Sequence, residues 1–298
     1  MDAISLLDGS IGQELVKRSG DKATPLWSTQ VLIDHPELVE EVHRAYFEAG
    51  ATIATTNTYA VLRDRLEPVG LAHETERLWE RALDAARKAR DTHGSGRLAG
   101  AIGPLVGSYR PDACPPAPQV AEAYAEKVAH IAPNVDFLLI ETVTSLDHAE
   151  GGLAAAQKAG KPVWLSLSVD DEDGARLRSG ELLSAVGPLL EKYPAEAVLL
   201  NCSRPEAITT GLDHIAAFGK PYGGYANGFT QISDAFLKDR PTVDVLEQRR
   251  DLDPEAYARF VMGWVEHGAR IVGGCCEVGP AHIAELSRQL HAAGYAVV

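Results

Sequence analysis

Residues 268–283 read GARIVGGCCEVGPAHI, and the fold of the whole chain can be predicted by extending the pattern they contain. A short apolar run ends at two glycines, and the vicinal pair Cys275-Cys276 follows directly. An earlier run, VLLNCS, ends in the same way at Asn201-Cys202. Continuous apolar runs of this length are typical of strands buried on both faces of a parallel sheet. The two stretches therefore predict buried strands whose carboxyl ends carry thiols.

Eight such runs, each bounded by polar residues, glycine or proline, recur along the 298 residues. Most are followed, after a loop, by a segment with helical periodicity, and strands that alternate with helices indicate a parallel sheet covered by helices. Eight repeats favour a closed (β/α)8 TIM barrel over an open sheet, and we expect a single domain over residues 1–298. The predicted strands are residues 4–8, 51–57, 97–103, 135–141, 162–168, 197–202, 221–227 and 269–275.

Two of the intervening helices can be read from their ends. Residues 36–50 and 254–268 both begin with proline, repeat apolar residues at helical spacing and stop at glycine. Residues 229–253 form a longer and more charged connection than a βα loop needs. Long connections in compact domains are usually functional, so we expect a partly helical excursion that covers the barrel mouth or forms a contact surface.

The composition restricts the partners of the chain. Acidic residues outnumber basic ones by 42 to 28, and without a basic patch this net charge of −14 disfavours nucleic acid and anionic membranes. No apolar stretch approaches the ~20 residues that span a bilayer, and the first ten residues do not form a signal peptide, so we expect a cytoplasmic protein. In that reducing compartment the four cysteines are more often metal ligands or nucleophiles than a disulfide framework.

Active sites of such barrels lie at the carboxyl ends of the strands, and the residues predicted there are unusually polar. Because one strand separates strands six and eight, Cys202 can meet Cys275 and Cys276 despite their distance in sequence. Zinc sites that do chemistry keep three protein ligands and an open fourth position, which these thiols match. The alternative is that they are buried core cysteines. The polar strand-end residues are Asp8, Asn57, Glu141, Ser168, Asn201, Cys202, Asn227, Cys275 and Cys276.

A zinc ion held by three thiolates would have a formal site charge of −1. Such an ion activates water poorly, but it deprotonates a thiol that binds as the fourth ligand. The predicted site therefore indicates alkyl transfer to the sulfur of a substrate.

Asp8 and Glu141 are the acidic residues at these strand ends, and they suit a cationic group such as the α-amine of a thiol substrate. A buried carboxylate at a barrel mouth needs a ligand to compensate its desolvation. The alternative is that Asp8 makes a turn before Gly9 and that Glu141 caps the next helix. Thr142 is placed to hydrogen-bond nearby. We expect His148, at the start of the following helix, to be solvated.

Several of these residues occur as motifs, in the order found in one known family. The chain resembles the homocysteine S-methyltransferase family in Asp8-Gly9, TTNTY at 55–59, Glu141-Thr142, Asn201-Cys202, and GGCC at 273–276 followed by PAHI at 280–283. The resemblance runs from residue 6 to about residue 290, and the combination of Asn-Cys with GGCC is highly specific. This chain departs from the family's pattern after GGCC, where residues 277–279 read EVG instead of a polar stretch such as Gly-Thr-Thr.

The resemblance implies a zinc-dependent barrel in which the homocysteine sulfur takes the open position on the metal. It also implies that carboxylates at the strand ends contact the homocysteine amine. No cofactor other than zinc is needed, because a sulfonium or quaternary ammonium donor leaves as a neutral molecule. The implied residues are Cys202, Cys275 and Cys276 for zinc, and Asp8, Gly9, Glu141, Thr142 and Asn201 for homocysteine.

For the methyl donor, a stand-alone barrel of this family favours S-methylmethionine or S-adenosylmethionine, with betaine second. Trp27, Asn57 and Tyr59 are the predicted donor pocket, because aromatic faces bind methylated cations. The alternative for the two aromatic residues is ordinary packing. Three other possibilities remain open: another thiol acceptor, a separate corrinoid protein as donor, and a non-catalytic zinc-binding barrel. Formation of a homo-oligomer is open as well.

Overall fold

The eight predicted strands form a closed barrel. In the computed structural model, which describes residues 3–233, 235–238 and 242–298, the strands are parallel and follow one another around the barrel in chain order. The predicted (β/α)8 fold is thus confirmed. The strands are β1 Ala3–Leu6, β2 Ile53–Thr55, β3 Arg97–Ile102, β4 Phe137–Val143, β5 Val163–Leu167, β6 Ala197–Asn201, β7 Tyr222–Tyr225 and β8 Ile271–Val272.

The barrel closes between β1 and β2. Across this seam the Asp8 N–H donates to the Ile53 carbonyl at 3.1 Å, while the other edge of β1 pairs with β8. A short ninth strand, β9 (Ala296–Val297), pairs with the first residues of β1 at the amino end of the barrel. The sequence does not predict β9, because two apolar residues are too few to show a strand pattern.

Helices connect the strands and cover the outside of the barrel. The segments predicted over residues 36–50 and 254–268 are confirmed as α3 and α10. None of the helices within the described ranges is long and apolar enough to span a bilayer. The helices are α1 Ile11–Ser19, α2 Ser28–Asp34, α3 Pro36–Glu48, α4 Arg63–Leu66, α5 Thr75–His93, α6 Ala117–Ile131, α7 Leu146–Ala156, α8 Gly187–Lys192, α9 Pro205–Ala216, α10 Pro254–Glu266 and α11 Pro280–Ala292. Short 3₁₀ turns occupy Glu67–Val69, Ala72–Glu74, Pro111–Ala113, Ala132–Asn134, Gln157–Ala159, Leu183–Val186 and Val243–Val245.

Two apolar layers stabilise this arrangement, one inside the barrel and one between the strands and the helices. Alternate residues of β4 divide between them: Phe137 and Leu139 point into the barrel, whereas Leu138 and Ile140 face the helices. The Phe137 ring packs on Trp164 with 4.0 Å between ring centroids. The interior is therefore filled with side chains, and the space for ligands lies beyond the carboxyl ends of the strands.

The described part of residues 229–253 crosses the barrel mouth; residues 234 and 239–241 of this predicted excursion lie outside the described residues. The Phe236 ring contacts Tyr109 with 5.9 Å between centroids, and Arg110 Nη1 donates to the Leu237 carbonyl at 2.7 Å. The excursion thus lies against the loop that follows β3. Its helical content in the described residues is one 3₁₀ turn.

Candidate metal and substrate site

A cavity of about 510 Å³ opens at the carboxyl ends of the strands. Its size falls within the range of small-molecule sites, about 300–1,000 Å³. Strand ends, βα loops and the 229–253 excursion all contribute to its lining. The predicted site residues that line it are Asp8, Gly9, Trp27, Asn57, Tyr59, Glu141, Thr142, Cys202, Cys275 and Cys276.

The structure brings the three predicted metal-binding cysteines together. Their Sγ atoms lie within 4.8 Å of one another, although Cys202 follows β6 and Cys275 and Cys276 follow β8. Three sulfurs bound to one tetrahedral zinc ion lie about 3.8 Å apart, so the cluster has the dimensions of a single-ion site. Burial raises the pKa of the Cys276 thiol to about 12, and a thiolate there needs a cation beside it at neutral pH. This donor set fits a soft divalent cation such as zinc.

Two of these sulfurs are bonded to each other in this structure. Cys202 and Cys275 form a disulfide, whereas Cys276 is a free thiol. This differs from the three thiols expected from the sequence; the two residues are near enough for a disulfide, which forms only by oxidation of both thiols. Since thiolates are the zinc ligands, the form of the protein that fits the metal has this disulfide reduced.

Cys202 is held in a left-handed backbone conformation by a neighbouring ion pair. Its φ is 51°, which costs energy for a residue other than glycine. Arg178 donates from Nη2 to the Cys202 carbonyl at 3.1 Å and from Nε to the Ser168 hydroxyl at 2.8 Å. Asp171 pairs with the same guanidinium at 3.0 Å. Neither Arg178 nor Asp171 was predicted, because both lie in the irregular loop after β5 and belong to no motif.

Gly273 and Gly274 let the backbone before the cysteine pair pass close to Leu7 and Val278. A Cβ atom at Gly273 would lie 2.5 Å from the Leu7 Cβ, and one at Gly274 would lie 2.2 Å from the Val278 Cγ1. Both distances are too short for carbon atoms, so any side chain here would displace the backbone that carries the thiols.

Asp8 and Glu141 are buried carboxylates in the cavity wall, with 2% and 7% of their surface exposed. The Thr55 N–H donates to Asp8 Oδ2 at 2.6 Å, and the Tyr225 hydroxyl donates to Glu141 Oε2 at 3.1 Å. Burial raises the pKa of Asp8 well above its usual value and that of Glu141 to about 7. The charge of Glu141 raises the Asp8 pKa further. Such a pair favours a bound cation between or beside the two groups.

The local alternatives for these two carboxylates are not realised. The N-cap of α7 is Ser145, whose hydroxyl accepts the His148 N–H at 3.2 Å, and not Glu141. The Asp8 carboxylate accepts from Thr55 on the neighbouring strand and not from the turn that follows it. Both side chains therefore belong to the cavity.

Thr142 is braced from behind by Asn201. Its φ is 58°, its N–H donates to Asn201 Oδ1 at 3.0 Å, and its hydroxyl accepts from Asn201 Nδ2 at 3.1 Å. The Ser166 hydroxyl also donates to Asn201 Oδ1, at 2.9 Å. Because Asn201 is fully buried and does not line the cavity, its geometry favours a supporting role for Thr142 over a substrate contact.

Trp27 and Tyr59 form an aromatic wall of the cavity. Their ring centroids lie 6.0 Å apart at an interplanar angle of 78°. Trp27 Nε1 donates to Gln13 Oε1 at 2.8 Å, and Gln13 Nε2 donates to Glu277 Oε1 at 2.6 Å. Glu277, where the chain departs from the family's pattern, therefore anchors the indole through Gln13. Asn57 lines the cavity beside this wall and donates to the carbonyl of the residue after Trp27 at 3.4 Å.

His148 is buried, so the prediction of a solvated imidazole was wrong. The Tyr124 hydroxyl donates to the Gly103 carbonyl at 2.7 Å and lies 2.9 Å from His148 Nε2. Burial lowers the pKa of His148 to about 3, and the ring is neutral. The first turn of α7 faces α6 instead of solvent, which the helical pattern of one segment does not reveal.

Comparison with known proteins agrees with this geometry. The family model described as homocysteine S-methyltransferase matches residues 5–290. Homocysteine S-methyltransferase of Escherichia coli is 30% identical over 95% of this chain and 94% of its own length. Betaine–homocysteine S-methyltransferase 1 of Danio rerio is 27% identical over 96% of this chain and 72% of its own length.

Solved structures show the same relationship. The metallated form of the homocysteine methyltransferase MmuM from Escherichia coli superimposes with a TM-score of 0.80 at 28% identity and covers 96% of each chain. The oxidised form of that protein gives the same values. A metal-bound and an oxidised state are therefore both known for a protein similar to this chain.

Proposed function

This chain belongs to the homocysteine S-methyltransferase family, and we propose on that premise that it transfers a methyl group from a sulfonium or quaternary ammonium donor to the thiol of homocysteine, giving methionine. The main support is that three sulfurs and two buried carboxylates line one cavity. A thiol amino acid offers one group to each set, its sulfur to the cysteines and its ammonium group to the carboxylates.

Asp8 and Glu141 bind the ammonium group of homocysteine in this proposal. Hydrogen bonds from Thr55 and Tyr225 fix the orientation of these carboxylates in the cavity wall. The bound cation offsets the desolvation that raises both pKa values. Each charge-assisted hydrogen bond of this kind contributes ~1.5–3 kcal/mol.

Cys202, Cys275 and Cys276 would hold zinc once the disulfide is reduced. When bound, zinc would supply the positive charge that lets the homocysteine thiol react as a thiolate at neutral pH. Arg178 keeps the Cys202 backbone in place through its carbonyl.

Trp27 and Tyr59 hold the methylated cation against their ring faces, a contact that contributes ~0.5–2 kcal/mol. A lone pair of the homocysteine sulfur forms the new bond to the methyl carbon. The bond from that carbon to the donor sulfur or nitrogen breaks, and its electron pair stays with the donor, which leaves neutral. S-methylmethionine or S-adenosylmethionine is the favoured donor, and betaine is the second choice.

A donor panel tests the reaction. Reduced, zinc-loaded protein is incubated with homocysteine and either S-methylmethionine, S-adenosylmethionine, betaine or a methyl-corrinoid protein, and methionine is measured by mass spectrometry. We expect methionine from a sulfonium donor without any corrinoid. Absence of methionine with all four donors, in a sample that contains zinc, would contradict the proposal.

A matched pair of cysteine variants tests the ligand assignment. Cys276→Ser should lose zinc and activity together, because it removes one of three ligands. Cys114→Ser changes a thiol that does not line the cavity and should retain both. Full zinc content in Cys276→Ser would rule out this ligand set, even if the protein still methylates homocysteine.

A further inference from the structure

Arg65, on α4, is a half-buried cation in the cavity wall that has no role in the reaction described so far. Its Nη2 donates to the Pro104 carbonyl at 2.6 Å, which fixes the guanidinium, while its Nε is buried without a hydrogen-bond partner. Among residues 3–233, 235–238 and 242–298, no carboxylate lies within ion-pair distance of it. Charges removed from water are normally paired, so a ligand is the natural source of the missing anion.

The other two charged residues of α4, Arg63 and Asp64, have partners within the protein. Arg63 pairs with Glu126 on the outside of the barrel. Asp64 is adjacent to Arg65, but its Oδ2 accepts the Val106 N–H and it forms no ion pair with Arg65. In a chain with 42 acidic residues, a protein carboxylate for Arg65 would be easy to provide. The unpaired guanidinium is thus a distinct feature of the cavity.

Arg65 lies next to the aromatic wall that is proposed to bind the methyl donor. Its Cζ lies 5.7 Å from the centroid of the Tyr59 ring, beside the aromatic wall that Tyr59 forms with Trp27. A simple methylated cation on this wall would be repelled by the guanidinium at short range. A donor that also carries a carboxylate replaces this repulsion with attraction, because guanidinium and carboxylate form two parallel hydrogen bonds.

We propose that Arg65 binds the carboxylate of the methyl donor and thereby selects zwitterionic donors over simple onium cations. This inference rests on the proposed function and deepens it. The donor class is an onium compound with a carboxylate a few bonds from the methylated atom. Homocysteine also carries a carboxylate, so its KM in Arg65→Gln shows whether Arg65 acts on the donor alone.

The test removes the charge from each partner in turn. Steady-state kinetics compare S-methylmethionine with its carboxamide, which differs in lacking the negative charge, on wild type and Arg65→Gln. We expect Arg65→Gln to raise KM for S-methylmethionine about 10-fold to 100-fold, with kcat changed less than about threefold. The carboxamide should already bind weakly to wild type, and Arg65→Gln should change its KM less than about threefold. Arg63→Gln, on the same helix but outside the cavity, is the matched control and should behave as wild type.

Further measurements separate this role from a structural one. The KM for homocysteine should be unchanged in Arg65→Gln, and Arg65→Lys should recover part of the affinity for S-methylmethionine. An equal rise of KM for both donors, or no rise for either, would overturn the assignment while methionine formation stands. If wild type forms no methionine, the proposed function fails. The Arg65 assignment is then tested independently by calorimetry, which measures the Kd of S-methylmethionine for wild type and Arg65→Gln. Equal Kd values would overturn the assignment.

Discussion

Acidification through pH 7 should weaken the binding of an amino acid ligand at Glu141. Burial raises the pKa of this carboxyl to about 7, from the usual value of 4.5. An ammonium group binds the ionised carboxylate, so protons compete with the ligand and affinity is lost as the pH falls through this pKa. The apparent Kd is multiplied by one plus the ratio of protonated to ionised carboxyl. That factor is about 2 at pH 7 and about 11 at pH 6, a rise of about fivefold.

Methionine is the ligand for this measurement, because it has the ammonium group but no thiol proton. Its Kd is measured by calorimetry between about pH 6 and about pH 7.5 on wild type and Glu141→Gln. Glutamine keeps the size of the side chain and a polar contact with Tyr225. We expect binding about 10-fold to 100-fold weaker at the upper pH, since one charge-assisted hydrogen bond is lost. The pH dependence should also shrink, because the variant lacks the carboxyl group whose pKa is about 7.

Glu37→Gln changes an exposed glutamate on α3 and should follow the wild-type curve. A change of Kd of less than twofold between pH 7 and pH 6 in wild type would contradict this prediction. The full wild-type rise in Glu141→Gln would contradict it equally. Either result would remove Glu141 as the ligand of the ammonium group.

Three further changes test the scaffold. Gly12→Ala places a Cβ 2.1 Å from the Trp27 ring. We therefore expect a higher KM for the donor but not for homocysteine, and a free energy of unfolding in urea that is lower by ~1–3 kcal/mol. An unchanged donor KM would contradict the role of the Trp27–Tyr59 wall in donor binding. Asn201→Leu removes the hydrogen bonds that hold Thr142, and its unfolding free energy should fall by at least ~1–3 kcal/mol. Burial lowers the pKa of His43 to about 4 against 6.5 when unfolded, so the unfolded chain takes up the proton first and stability falls as the pH drops below 6.5. By pH 5 this amounts to about 2 kcal/mol, which His43→Leu should not show when urea unfolding is compared at pH 7 and pH 5.

The strands and the family could be predicted from the sequence alone. A parallel strand that is buried on both faces is mostly apolar, so its polar residues gather at or just beyond its carboxyl end. Asp8 follows β1 by two residues, Cys202 follows β6 by one, and Cys275 follows β8 by three. Because a closed barrel brings all carboxyl ends to one face, the local pattern was enough to predict that these three residues meet at one cavity, whereas Asn201 at the end of β6 does not line it.

Which side chains form hydrogen bonds and ion pairs with each other could be seen only in the tertiary structure. Tyr225 has the pattern of an ordinary strand residue, yet the curvature of the barrel brings its hydroxyl to Glu141, 84 positions away. Gln13 bonds both Trp27, 14 positions away, and Glu277, 264 positions away. Arg65 belongs to no motif, and only its position beside Tyr59 gives it a function to test.

The physical reason is that apolar burial and polar contacts differ in how much displacement of the atoms they tolerate. Hydrophobic periodicity depends on whether a side chain meets water or the core, and burial of apolar surface tolerates small displacements. A hydrogen bond or an ion pair requires particular atoms within about 3 Å at a suitable angle, which depends on barrel curvature and on the conformation of several loops at once. The sequence alone therefore determines the barrel and the location of its thiols. How Cys202 is held, why His148 is buried and where Arg65 lies relative to Tyr59 are decided by the tertiary structure.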